Sequence, residues 1–344
     1  MQSGPGGRPR WVLAIHGGAG VINTRDPEWV ATTKAGLETA LDAGIEVLEA
    51  GGSALDAVTA AVVALEEDPR FNAGRGSVLT LKGLHELEAS VMTSDQRCGA
   101  AALLTNVRNP VLAARAVMER TPHILLAGPA AEALAAEAGL ERVADNAWFT
   151  TEARRAQWEQ HLAGEKAFGR GDDIVQRAGG GGSGGSGSSG GGGSGSSSSG
   201  GAAAAAAPDH AQTVGAVALD ASGRLAAATS TGGRCAKLDG RIGDTPIIGA
   251  GNWADARVAL SGTGIGEAFL RRAACHDVAA RVAYGGAALG EAVAAVVHGE
   301  FRPGDGGFIG VGADGCVAMD FNSEGMSRAA ADANGRREVA IFKD

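Results

Sequence analysis

The sequence predicts an α+β fold of layered sheets and helices, and three observations carry that reading. Short strand-like runs come in hairpin pairs: residues 213–220 lead into the turn Asp220-Ala221-Ser222-Gly223 and return over 224–230. Helical periodicities come in clusters between the strands, where a βαβ winding would place one after each strand. A tract over residues 178–207, made only of Gly, Ser and Ala, reads as a flexible linker too featureless to lie inside a compact domain. The chain therefore divides into an N-terminal piece, 1–177, a linker, 178–212, and a C-terminal piece, 213–344, expected to share one core.

The elements follow in order. Residues 11–15 form an apolar strand that His16-Gly17-Gly18-Ala19-Gly20 is expected to end. Residues 27–50 carry a helical pattern through Val30, Leu37, Leu41, Ile45 and Leu48, stopped by Gly51-Gly52. Ser53 caps a second helix with Asp56 three residues on; its apolar face is Val58, Ala61, Val62 and Leu65. A Gly-punctuated loop over 71–80 is expected to run into a strand. Residues 85–92 alternate as a half-buried strand does. His85 on it suits a structural role better than a catalytic one. Asn109 caps a helix that Pro110 opens and Arg120 closes, and 124–127 is a short strand. Two further helical stretches lead toward Arg177. After the hairpin at 213–230, residues 257–260 form a strand and 261–267 a Gly-rich turn into a helix. Two more helices fill 278–297, and 307–320 forms a last hairpin.

Composition limits the function. The net charge of −9 argues against nucleic acid or an anionic membrane as partner. Four cysteines, widely spaced and without CxxC, fit reduced thiols. No uninterrupted apolar run is long enough to span a bilayer, and the polar, Gly/Pro-rich start lacks a signal-peptide pattern. A cytoplasmic protein is expected.

The chemistry gathers in the second half. A threonine that opens a core strand directly behind a linker suggests a chain cut before Thr213. Freed at its amino end, Thr213 would carry a hydroxyl nucleophile and an α-amine base, which titrates near pH ~8. Thr231 ends the paired strand, within reach of Thr213. Arg241 can grip a carboxylate with two parallel bonds and Asp244 can take an ammonium; together they read the two ends of an amino acid, although such a pair is more often a surface ion pair. Thr263-Gly264, on a strand-to-helix turn, offers an oxyanion hole. The glycines at 262, 264 and 266 match neither GxGxxG nor GxxxxGK[ST].

With these residues in view, the chain resembles the plant-type L-asparaginases, also called isoaspartyl aminopeptidases or β-aspartyl peptidases, of the N-terminal-nucleophile hydrolases. The matching segments are IHGGAG, FNAGRGSVLT, HELEASVM, RNPVLAARAVME, TVGAVALD, LAAATSTGG, GRIGDTPIIGAG and GTGIGE, spread over the whole chain outside the linker. The resemblance implies a four-layer αββα sandwich built from two chains after self-cleavage between Gln212 and Thr213, two such heterodimers pairing. It implies attack by Thr213 on L-asparagine or a β-aspartyl dipeptide through an acyl-enzyme. Thr231 assists, Arg241 and Asp244 hold the substrate's α-carboxylate and α-ammonium, Thr263 and Gly264 stabilise the oxyanion, and Asn72 lies close to the substrate. No catalytic cofactor is implied. A structural Na⁺ is, held by main-chain oxygens in the loop of Leu65, Glu66, Asp68, Phe71, Ala73 and Arg75. One departure bears on processing: Gln212 stands where the family usually has Gly, and Gln resists the strained turn that self-cleavage needs. Two other functions stay open: a glycosylasparaginase-like amidase with the same nucleophile, and an unprocessed, non-catalytic amino-acid-binding protein.

Overall fold

In the computed structural model, which describes residues 10–21, 26–168 and 213–343, the strands lie in two sheets. The larger has eight strands in the order β12-β11-β1-β5-β6-β2-β3-β4. Its members are β1 (Val12–Gly20), β2 (Leu87–Thr93), β3 (Cys98–Leu104), β4 (Leu125–Ala127), β5 (Val214–Leu219), β6 (Leu225–Thr231), β11 (Gly325–Asp332) and β12 (Arg337–Phe342). The smaller is β10-β9-β8-β7, from β7 (Asn252–Ala254), β8 (Val258–Gly264), β9 (Gly306–Gly312) and β10 (Val317–Phe321). Pairing is antiparallel except between β3 and β4. Strands from before residue 169 and after residue 212 alternate in the large sheet: β1 lies between β11 and β5, and β2 beside β6.

Both faces of the large sheet are covered, which explains its near-continuous apolar strands. Successive side chains of a strand point to opposite faces. Leu13 and Ile15 of β1 thus join one core with Leu37, Leu41, Val58, Val62 and Leu65, which come from α1 (Pro27–Glu49) and α2 (Ala54–Glu67). Val12 and Ala14 join a second core between the sheets, with Val217, Leu219, Ile309 and Val311. On the far side of the small sheet, Leu260 and Phe308 pack with Phe269, Val278 and Val293 of α6 (Gly266–Arg272), α7 (Ala274–Ala283) and α8 (Leu289–Ala294). Each such fully buried side chain contributes about 1.5–3 kcal/mol relative to an exposed one.

Several expectations need correction. The first strand does not end at His16 but continues to Gly20, with an irregularity between His16 and Gly18. β2 is buried throughout, since Glu88 and Ser90 find polar partners inside. No strand follows the 71–80 loop; Thr80 makes one isolated bridge to Lys237. Asn109 holds the N-cap position of α3 (Pro110–Arg120), yet its side chain does not cap it and donates to Glu67 instead, at 3.0 Å. The hairpin β9–β10 is not the last, because β11 and β12 follow it. α8 runs on into a π-helical turn over Ala295–Glu300. Ser53 caps α2 as expected, accepting from the Asp56 amide at 3.1 Å and donating to its carboxylate at 2.6 Å. Between α3 and β5 lie α4 (Pro129–Glu137) and α5 (Glu152–Phe168). Residues 178–212, Gln212 among them, lie outside the described residues. Among the described residues no helix is long and apolar enough to cross a membrane.

Candidate active site

Thr213 stands at the head of β5. The β5–β6 register pairs Val214 with Ser230, so Thr213 faces Thr231, and the two hydroxyls lie 3.3 Å apart. The turn fixes that register. Asp220 accepts from the Ser222 and Arg224 amides at 2.9 and 3.1 Å, and Gly223 takes a φ of 81°. Thr213 is buried.

The carbonyl of Thr213 is held by His16, which the sequence reading took as the end of the first strand and not as a site residue. His16 Nδ1 lies 2.9 Å from it, and a carbonyl only accepts, so Nδ1 carries the proton. His16 Nε2 then accepts from Ser261 Oγ at 2.8 Å. Ser261 in turn receives the proton of Thr229, whose hydroxyl is 2.7 Å away, nearer than the Gly251 carbonyl at 3.3 Å. Burial pushes His16 down to about 3, so the ring is neutral at ordinary pH. Gly215, opposite His16, is required by this packing: a Cβ there would lie 2.1 Å from Ser261 Oγ and 2.5 Å from His16 Nε2. A histidine leaving an apolar strand just before Gly-Gly was the signal available.

Thr263 comes to the same carbonyl, its hydroxyl donating at 3.5 Å and accepting from the Ala19 amide at 3.1 Å. The HGGAG run therefore touches the site through His16 and Ala19. Thr263 and Gly264 end β8, directly before α6. Thr231 Oγ1 also accepts from the Gly233 amide at 2.9 Å. Asn72 braces that turn: it donates to the Gly233 carbonyl at 2.7 Å and accepts from the Val78 amide at 2.9 Å, so its side-chain amide is engaged with main chain.

Arg241 and Asp244 lie in the loop beside Gly233 and Gly266. A Cβ on Gly233 would be 3.2 Å from Arg241 Nη1, and one on Gly266 would be 2.6 Å from Asp244 Oδ1 and 2.8 Å from Arg241 Nη2. Arg241 bonds Glu267 Oε1 through Nε and Nη2, at 3.1 and 3.0 Å, and Nη1 lies 4.0 Å from Glu88. This is not an exposed surface pair. Asp244 is buried, and its Oδ2 has no hydrogen-bond partner among the described residues. Burial, followed by the charge of Glu88, pushes Asp244 up to about 7. A buried carboxylate oxygen without a donor beside an arginine could accept from a ligand that carries an ammonium and a carboxylate.

His85 stands apart. Its nitrogens meet Ser77 Oγ at 3.0 Å and Thr150 Oγ1 at 2.7 Å, a structural bridge. Of the residues expected in one loop, Leu65 and Glu66 form the last turn of α2, and Asp68, Phe71, Ala73 and Arg75 follow in the tight turn after it. Pro69 has no N–H to offer the Leu65 carbonyl, while the Glu66 and Asp68 carbonyls accept from Arg75 and Phe71 at 2.8 and 3.1 Å. The Glu66 carboxyl is buried beneath, accepting from Ser230 Oγ at 2.6 Å and the Val111 amide at 2.9 Å, and burial pushes it up to about 8. Among the described residues no group of three or more His, Cys, Asp or Glu could hold a metal. A cation here would rest on main-chain oxygens, the ligands that hard cations take.

Comparison with known proteins is consistent along the chain. The profile of the family described as Asparaginase matches residues 9–341. The isoaspartyl peptidase of Escherichia coli (strain K12) is 42% identical over 343 residues, covering 97% of this chain and 96% of that protein. The isoaspartyl peptidase of Salmonella typhimurium is 43% identical over 339 residues, covering 97% and 99%. The isoaspartyl peptidase/L-asparaginase of Danio rerio is 34% identical over 336 residues, covering 96% and 95%.

Proposed function

The chain belongs to the asparaginase family, and on that premise we propose that it hydrolyses β-aspartyl dipeptides and L-asparagine, releasing L-aspartate, with Thr213 as nucleophile. It is a hydrolase that acts on a small molecule. The observation that carries the assignment of Thr213 is its hydroxyl, 3.3 Å from that of Thr231, with its own carbonyl clamped by His16 at 2.9 Å.

The reaction starts from a chain cut between Gln212 and Thr213. The free α-amine takes the hydroxyl proton as Oγ1 attacks the side-chain carbonyl carbon of the substrate. Thr231 steadies the attacking oxygen. Thr263 and the Gly264 amide meet the developing oxyanion. The proton passes to the departing nitrogen, which leaves as ammonia or as the amine of the second residue. Water then opens the ester and frees aspartate. Arg241 holds the α-carboxylate, sharing its guanidinium with Glu267, and Asp244 holds the α-ammonium. Asn72 acts by bracing the turn behind Thr231.

The same reading covers the architecture. We take the three cores as the interfaces of a four-layer αββα sandwich, one composite domain formed by 1–177 and 213–344 and joined before cutting by 178–212. The processed heterodimers pair as a homodimer. The carbonyls of Leu65, Glu66, Asp68, Phe71, Ala73 and Arg75 would hold a structural Na⁺, which would stiffen the loop carrying Asn72.

Intact-mass measurement tests this first. Two fragments meeting at Gln212/Thr213, together with release of aspartate from a β-aspartyl dipeptide, are expected. A persistent single chain that binds aspartate without turnover would sink the assignment.

A further inference from the structure

Glu88 belongs to no step above, yet it is a buried carboxylate beside the site. It sits on β2 directly opposite Thr231 of β6. Cross-strand partners project to the same face, with Cβ atoms about 5 Å apart. Its side chain therefore rises on the face that carries the Thr231 hydroxyl. It is 1% exposed. There the carboxylate accepts the Gly243 amide through both oxygens, at 3.0 and 3.1 Å. Gly243 lies between Arg241 and Asp244 in the chain by two residues and one. A Cβ on it would come within 2.7 Å of both Glu88 Oε1 and Arg241 Nη1, so a larger residue there would push the carboxylate and the guanidinium aside.

We propose that Glu88 is a positioning residue that locks the loop 240–244 against the nucleophile and, through its charge, governs how Asp244 receives the substrate's ammonium. The proposal rests on the function proposed above. Its electrostatics follow from the groups around the pair. Burial pushes Glu88 itself up, while Lys237, Arg241 and the Gly243 amide favour its charge and Glu267 opposes it. Lys237 is itself anchored, its Nζ donating to the Glu86 carbonyl at 2.7 Å. Asp244 is faced by Glu88, Arg241, Glu267 and the buried thiol of Cys275. A second negative charge beside a buried carboxyl disfavours its ionisation. Below about pH 7 Asp244 thus keeps a proton, which an arriving ammonium must displace. The selection is for a cationic amino group with an adjacent carboxylate.

Three substitutions separate the two roles. Glu88→Gln keeps an acceptor for the Gly243 amide but removes the charge. The acid midpoint of KM is expected to fall by at least ~0.5 pH unit, with kcat within about twofold of the parent. Glu88→Asp keeps the charge but shortens the reach, so the midpoint stays while KM rises. Gly243→Ala leaves Glu88 intact and parts the contact. KM is expected to rise about tenfold with kcat retained, a readout that survives if the Glu88 variants do not fold. A parental midpoint in Glu88→Gln overturns the charge role. A loss confined to kcat, or an unchanged KM in Gly243→Ala, overturns the positioning role. Calorimetric binding of L-aspartate to the parent and to each variant follows the same midpoints without turnover. A cut parent that binds aspartate but hydrolyses nothing therefore fails the functional reading separately from this one.

Discussion

At the residue scale, the site is a set of side chains whose charges and protons are fixed by what covers them. On the function proposed above, Thr213→Ala removes the hydroxyl that both cutting and turnover need. It is expected to remain one chain by mass spectrometry and to release no aspartate. On the same proposal, the pH dependence follows from two groups. Asp244, pushed up to about 7 by burial and by Glu88, is neutral below that pH and offers the ammonium no charge. KM is therefore expected to rise by about tenfold per pH unit below 7 and to level off above it. The α-amine of Thr213 must be unprotonated to act as base, so kcat is expected to climb through pH ~8. Steady-state kinetics between pH 5 and 9 would separate the two limbs, and a flat KM would contradict the role of Asp244. Thr213, Arg241 and Asp244 could be singled out in the sequence as candidates because their types and order carry chemistry. His16 was not, because a lone histidine in a strand looks the same whether it fills a core or holds a nucleophile's carbonyl.

At the element scale, the β5–β6 hairpin sets the geometry, and Asp220 sets the hairpin. Its carboxylate accepts the Ser222 and Arg224 amides within the turn and the Ala54 amide at the start of α2, the last at 3.0 Å. One side chain thus joins the turn to a helix N-terminus far away in sequence. Asp220→Ala leaves the buried Ala54 amide without an acceptor and loosens the turn, at a cost of about 1–3 kcal/mol. The denaturant midpoint is expected to fall accordingly, with catalysis by the folded fraction preserved. A midpoint equal to the parent's would mean that the turn holds its register without Asp220. The hairpin was readable locally, since Asp-Ala-Ser-Gly between alternating apolar runs has few other solutions. The bond to Ala54 was not, since it spans 166 positions.

At the scale of the whole molecule, the large sheet interleaves strands from both sides of the 169–212 interval. Cutting the chain there breaks no strand pairing among the described residues, and β1 keeps β5 on one side and β11 on the other. The two fragments are accordingly expected to elute together on size exclusion under native conditions and to part only in denaturant. Separation in native buffer would contradict the composite domain.

The sequence by itself determined the fold class, most of the helices and the hairpin that Thr213 opens, because periodicity, capping and turn chemistry act over a few residues. It also pointed to the family, through segments that keep their order along the chain. It did not yield β3, β11 or β12: small residues such as the alanines of 329–331 form strands here because neighbouring strands and helices cover them. The electrostatics of the site were likewise beyond it. Whether Asp244 is charged, which nitrogen of His16 holds the proton and what Glu88 grips depend on burial and on partners far away in the chain. Tertiary structure alone supplies these, since solvent exclusion and proximity have no signature in the order of residues.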